Sequence, residues 1–117
     1  TIVMNNQEEF ARQRFEFHRQ KQALQQMHQQ RLTLAYKGGM FKVDLNLYSY
    51  LSMANLTVAM FKHEQERILI DMYDTPIKCD VVEMLKLVDE RYKEVTNDWL
   101  NEYEDLKTKR RVKDVAV

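Results

Sequence analysis

At 117 residues and 44% hydrophobic, the chain is one domain in size and has the apolar content for one packed core. Its single cysteine, Cys79, excludes an intramolecular disulfide and a cysteine-paired zinc site, and it suits a reducing compartment. Basic and acidic side chains cancel overall but not locally: residues 1–42 carry +4, residues 43–106 carry −8 and residues 107–117 carry +4, a segregation that suits self-complementary contacts between copies or docking of the chain's ends on its middle.

The first residues, Thr1 to Glu8, show neither a basic segment nor an apolar run of the signal-peptide kind. No stretch approaches the roughly 20 apolar residues that span a bilayer. The expectation is an intracellularly assembled protein without membrane contact.

Gly38, Gly39 and Pro76 are the only helix breakers, and they cut the chain into three parts. From Asn6 to Tyr36 the helix formers are uninterrupted, and Phe10, Phe17, Leu24, Met27 and Leu34 recur at helical spacing. Gln13, Gln20 and Arg31 interrupt that seam, as suits a helix that pairs with another helix. Its length, roughly 45 Å, is large for a small domain, so part of it is expected to project or to pair with a second chain. Gly38-Gly39 ends the helix, and Met40 to Val43 reads as a short extended piece.

Asp44 is placed to cap a second helix reaching about Glu66. That helix is apolar nearly all round, from Leu47 to Phe61, which predicts a central element covered on most sides. Ile68 to Tyr73 and Ile77 to Cys79 read as two strands joined at Asp74-Thr75-Pro76. Asp80 then caps the last helix, with Glu83 three residues on. In that helix Val81, Val88 and Val95 hold one heptad position, and Leu85, Tyr92, Trp99 and Leu106 hold another. The pattern fits a coiled-coil seam and an ordinary core-packed helix equally. The basic residues from Lys107 to Lys113 are expected to fray.

Chemistry has little to build on. His18 and His28 lie about 80° apart in helical phase on a polar helix, which predicts solvated side chains rather than metal ligands. The pairs Glu64/Glu66, Asp89/Glu90 and Glu102/Asp105 read as exposed charge rather than an acid–base pair in a cleft. Cys79 reads as a packing residue, and Gly38-Gly39 lacks the rest of a phosphate loop. The first-helix arginines and the basic end offer phosphate contacts, but the acidic middle opposes nucleic acid.

The order of features over residues 12–108 resembles a phage domain of unknown function found in tail-fibre-associated and tail-assembly proteins. Gly38-Gly39-Met40-Phe41-Lys42-Val43-Asp44 matches that family's Gly-x-x-Phe-x-x-Asp-like step. Tyr48 to Ala59 matches its apolar helix, Ile68 to Asp80 its hairpin and Val81 to Lys107 its closing helix. Met72 or Tyr73 stands at the family's usual Trp, and Asp74-Thr75 at its Asp-Asn. The resemblance implies assembly or attachment within a phage tail, without catalysis.

The sequence thus predicts a mainly α fold with a small β-hairpin: a long N-terminal helix, a central apolar helix, the hairpin and a long C-terminal amphipathic helix. Residues 1–37 form a helix that projects or oligomerises, residues 38–108 a compact helix–hairpin–helix domain, and residues 109–117 a basic flexible tail. The expected function is non-catalytic protein–protein interaction in phage structure or tail assembly, with no cofactor, metal or small-molecule substrate. The partner is a second copy or another phage protein, met in the host cytoplasm during assembly or in the virion. The expected anchors are Phe10, Phe17, Leu24 and Met27 on the first helix, and Val88, Tyr92, Val95 and Trp99 on the last. The same residues equally suit the monomer's core. Two rival readings are a phage-encoded inhibitor or regulator of a host protein and a nucleic-acid-binding accessory protein.

Overall fold

The computed structural model describes residues 6–116, with side chains through Lys109. The described residues form α1 (Asn6–Arg31), β1 (Thr33–Tyr36), β2 (Gly39–Lys42), α2 (Leu45–Phe61), β3 (Glu66–Ile70), β4 (Pro76–Asp80) and α3 (Val81–Ala116). The fold is mostly helical with small β elements, and its longest helices stand at the two ends of the chain. The residues group into two units: one joins α1 up to Gln29 with α3 from Thr96, and the other runs from Gln30 to Val95.

In the second unit the first departure from the sequence reading is an extra hairpin. The helix predicted to reach Tyr36 stops at Arg31, and β1 pairs antiparallel with β2 from Thr33↔Lys42 to Tyr36↔Gly39. Arg91 accounts for the stop. Its Nε donates to the carbonyls of Arg31 at 3.1 Å and Thr33 at 3.3 Å, so a cation takes up carbonyls where the helix runs out of partners. Lys37 and Gly38 both adopt positive φ, 47° and 81°, as a two-residue type I′ hairpin turn requires.

The two glycines act for different reasons. Gly38 needs its backbone freedom and has open space around it. Gly39 needs room, because a Cβ there would lie 2.8 Å from Ile77 Cγ1 and 3.1 Å from Phe41 Cε2. Gly38→Ala is expected to cost about 1 kcal/mol through backbone strain, and Gly38→Asn less, since Asn tolerates the left-handed region. Gly39→Ala is expected to cost about 1–3 kcal/mol through crowding, with Asn no better than Ala. Urea unfolding of the four variants checks this contrast.

Asp44 and Asp80 start their helices as the sequence predicts. Asp44 accepts from the Leu47 amide at 2.9 Å. Asp80 accepts from the amides of Val82 and Glu83 at 3.0 and 3.2 Å. α2 ends at Phe61, short of the predicted Glu66, because Lys62 turns left-handed at φ 53°. β3 and β4 pair from Glu66↔Asp80 to Ile70↔Pro76. The two hairpins join through the Met72 amide, which donates to the Met40 carbonyl at 2.9 Å, and through Asp71, which accepts from the Met40 amide at 3.0 Å.

The core of this unit gathers Tyr36, Phe41, Val43, Leu51, Ala54, Cys79, Val81, Met84 and Val88. The Val81/Val88/Val95 series is wholly buried, so it serves packing within the chain. Cys79 packs there too, and burial pushes its thiol up from its ordinary range.

In the first unit, α1 meets α3 in antiparallel order: Phe17 lies against Tyr103, with ring centroids 6.5 Å apart, and His28 stacks on Trp99 at 6.0 Å. His28 is fully buried, which corrects the expectation of a solvated histidine. Its Nε2 lies 2.5 Å from Glu102 Oε2, and that polar contact lets an imidazole sit inside the helix pair. α3 continues as helix to Ala116, where the sequence predicts a frayed tail; side chains beyond Lys109 lie outside the described residues.

Candidate interaction surface

The structure distributes the eight predicted anchors unevenly. Val88 and Val95 expose nothing, so neither is available to a partner. Phe17, Leu24 and Trp99 are half-buried, Phe17 and Trp99 in the α1–α3 contacts just described. Phe10, Met27 and Tyr92 remain exposed. Tyr92 meets Tyr48 edge-on at 6.4 Å, and the Arg14 guanidinium lies over the Phe10 ring at 5.6 Å. The exposed members are therefore scattered and do not form one patch along either helix.

The larger apolar surface is on α2, where the sequence predicts cover on most sides. Only one arc of α2 faces the core: Leu51 and Ala54 are buried, with Leu47, Tyr48 and Val58 packed beside them. Leu45, Tyr50, Met53, Leu56, Met60 and Phe61 are exposed. At about 100° per residue these six fall within an arc of about 160°. Asn46, Ser49 and Thr57 fall inside the same arc, Ser52 and Ala59 border it, and no residue from Leu45 to Phe61 carries a charge. Leu45 is 79% exposed and Met53 69%, values that place whole side chains in water.

A second exposed apolar group sits on the hairpin of β3 and β4. Ile68 and Ile70 share its outer face, and Met72 and Tyr73 follow in the loop. That face is broken by charge, since Lys78 stands opposite Ile68 and its Nζ pairs with Glu66 at 3.0 Å. Mixed charge of this kind guards a strand edge against unwanted pairing. The α2 face has no such guard.

The polar cluster nearest α2 is structural in its chemistry. The Tyr48 hydroxyl donates to Asp89, whose other oxygen accepts from Lys93 Nζ at 2.9 Å. The Tyr48 bond first, then that of Lys93, holds the Asp89 carboxyl below its usual range. The same bond to Asp89 raises the Tyr48 phenol. An acid kept charged and an alcohol kept protonated make a fixed acceptor and a fixed donor, which is poor material for proton transfer near neutrality. They border an open groove with Ser52, Val82, Leu85 and Lys86. Among the described residues, no three His, Cys, Asp or Glu side chains converge as metal ligands, and no helix is long and apolar enough to cross a membrane.

No protein-family model, curated protein or solved structure matches the chain.

The sequence holds half of the signal for this surface. The uncharged run from Leu45 to Phe61 is legible in it. Which part of the run stays in water is not, because that depends on how much of the chain folds over α2.

Proposed function

We propose that this chain is a non-catalytic protein–protein interaction domain and that the exposed face of α2 is its contact surface. The observation that carries the reading is the uncharged arc of Leu45, Tyr50, Met53, Leu56, Met60 and Phe61. From their fractional exposures these six residues together expose roughly 700 Å², interrupted by Asn46, Ser49 and Thr57, against roughly 300–600 Å² for the largest apolar patch on a typical monomer. Leaving that surface in water is costly at about 25 cal/mol per Å² of apolar area, and a partner removes the cost. The resemblance to phage tail-assembly domains supplies the setting: a structural or assembly protein, acting in the host cytoplasm or the virion.

A photo-crosslinking amino acid at Met53 in the full chain, irradiated in the cells where the protein assembles, tests the reading. The expected result is a covalent protein adduct, to any chain, that is absent when the label sits at exposed Glu90 and weakens in Leu56→Glu. Equal labelling at the two positions, or no adduct at either, removes α2 as the contact surface.

A further inference from the structure

Resting on the reading of α2 as the contact face, we propose that a second copy of this chain covers it, with the two α2 helices packed antiparallel about a two-fold axis.

The area fits first. The arc exposes roughly 700 Å² per copy, about two thirds of it on the seam side chains and the rest on Tyr50 and Phe61 at its flank, so a pair that covers the whole arc approaches the roughly 800 Å² per partner of a standard stable interface. The absence of charge fits next. A different protein is usually selected by complementary potential, and this face offers none. A second copy brings an equally neutral face and meets no like-charge repulsion.

The order of side chains sets the direction. Leu45, Ser49, Met53, Leu56 and Met60 run along the arc at steps of three and four, a helix-pairing seam about 25 Å long including the rest of α2. An axis between Ser52 and Met53 pairs Leu45 of each copy with Met60 of the other, and Leu56 with Ser49. Leu56 and Met53 then each enter the gap left by a serine, Ser49 and Ser52, while Leu45 and Met60 pack on each other at the two ends. Parallel packing sets Leu56 against Leu56 and leaves Ser49 facing Ser49 across a void. The two-fold makes the contact self-complementary, and it closes at two copies.

A lipid surface is the other neutral occupant an apolar helix face suits. Interfacial helices carry Lys or Arg along the border of the apolar face, and α2 has no basic residue before Lys62. That difference favours the second copy.

Molar mass by light scattering on the full chain, from about 1 to 200 µM, reads the association directly. The expected value rises with concentration to twice the 14.2 kDa chain mass. Leu56→Glu buries two facing carboxylates in the seam and is expected to weaken association by at least ~100-fold. Its circular dichroism stays unchanged, because Leu56 is 60% exposed in the folded chain. A wild-type monomer throughout the range overturns self-pairing, as does a dimer that survives Leu56→Glu. A monomer that floats with neutral phosphatidylcholine vesicles overturns it in favour of lipid. The Met53 label separates this failure from failure of the parent reading: a monomer that still forms an adduct with another protein leaves α2 as a contact surface.

Discussion

Leu51→Ala is expected to lower the free energy of unfolding by about 3 kcal/mol, a large share of the roughly 5–15 kcal/mol a domain of this size commands. Leu51 has no exposed surface and packs in the cluster with Phe41, Val43 and Met84. α2 touches that cluster along one arc only, through Leu47, Tyr48, Leu51, Ala54 and Val58, so no other large α2 side chain is as deeply buried. Ala at position 51 removes the largest of these contacts and leaves a cavity within the cluster. Five residues on, Leu56→Ala is expected to cost less than about 1 kcal/mol when measured below the association range, because that side chain is already in water. Urea midpoints with unchanged slopes give both values. Equal losses at the two positions are incompatible with a one-sided α2.

That one-sidedness marks where sequence reasoning reached its limit. The helix starts were legible because Asp44 and Asp80 are local caps, each bonding amides two or three residues on. The second hairpin was legible from Pro76 and the β-branched residues around it. The first was not. Its turn, Lys37-Gly38, lacks the usual Asn or Asp before Gly, and the end of α1 is set by Arg91, about sixty positions away in the chain. The inward face of α1 was misread for a related reason. Phe10, Phe17 and Leu24 keep a seven-residue step, but a straight α-helix drifts about 20° per heptad against that step. In helical phase Phe10, Phe17, Leu24 and His28 therefore share a strip about 40° wide, while Met27 lies about 60° beyond its edge, so the buried line reaches His28 rather than Met27 and Phe10 stays exposed near its end. Nothing local marks His28 as buried, since its partners Trp99 and Glu102 lie on the far helix. The contact surface was half legible: composition identified an apolar helix, but whether the chain itself covers such a helix is a matter of tertiary structure.

Asp71 shows the same limit at the level of one carboxylate, and it should be visible in the pH dependence of stability. Asp71 is 7% exposed, on the loop just after β3, where the sequence predicts strand as far as Tyr73. Its Oδ1 accepts from the amides of Tyr73 and Thr75 at 2.9 and 3.0 Å, and its Oδ2 from the amide of Met40 at 3.0 Å. One side chain thus closes the β3–β4 loop and ties it to β2. The Thr75 bond first, then that of Met40, and more weakly that of Tyr73, hold the carboxyl below its ordinary value of 3.8, against the opposing effect of burial. A lowered folded value means that the unfolded chain takes up the proton first as acid is added. The stabilisation from Asp71 is therefore complete above the ordinary value and drains away as the pH falls through the lower, folded one. Asp71→Asn keeps the shape but removes the charge and turns an amide donor toward backbone amides, so it is expected to lower the melting temperature by about 5–10 °C at pH 7. The gap between wild type and variant should hold from pH 7 to pH 5 and narrow steadily below pH 4. Asp89, whose carboxyl is also held low, is present in both proteins and cancels from the difference. A gap that stays constant down to pH 2.5 means the Asp71 charge does not hold the loop, and that its hydrogen bonds serve equally well with the proton on.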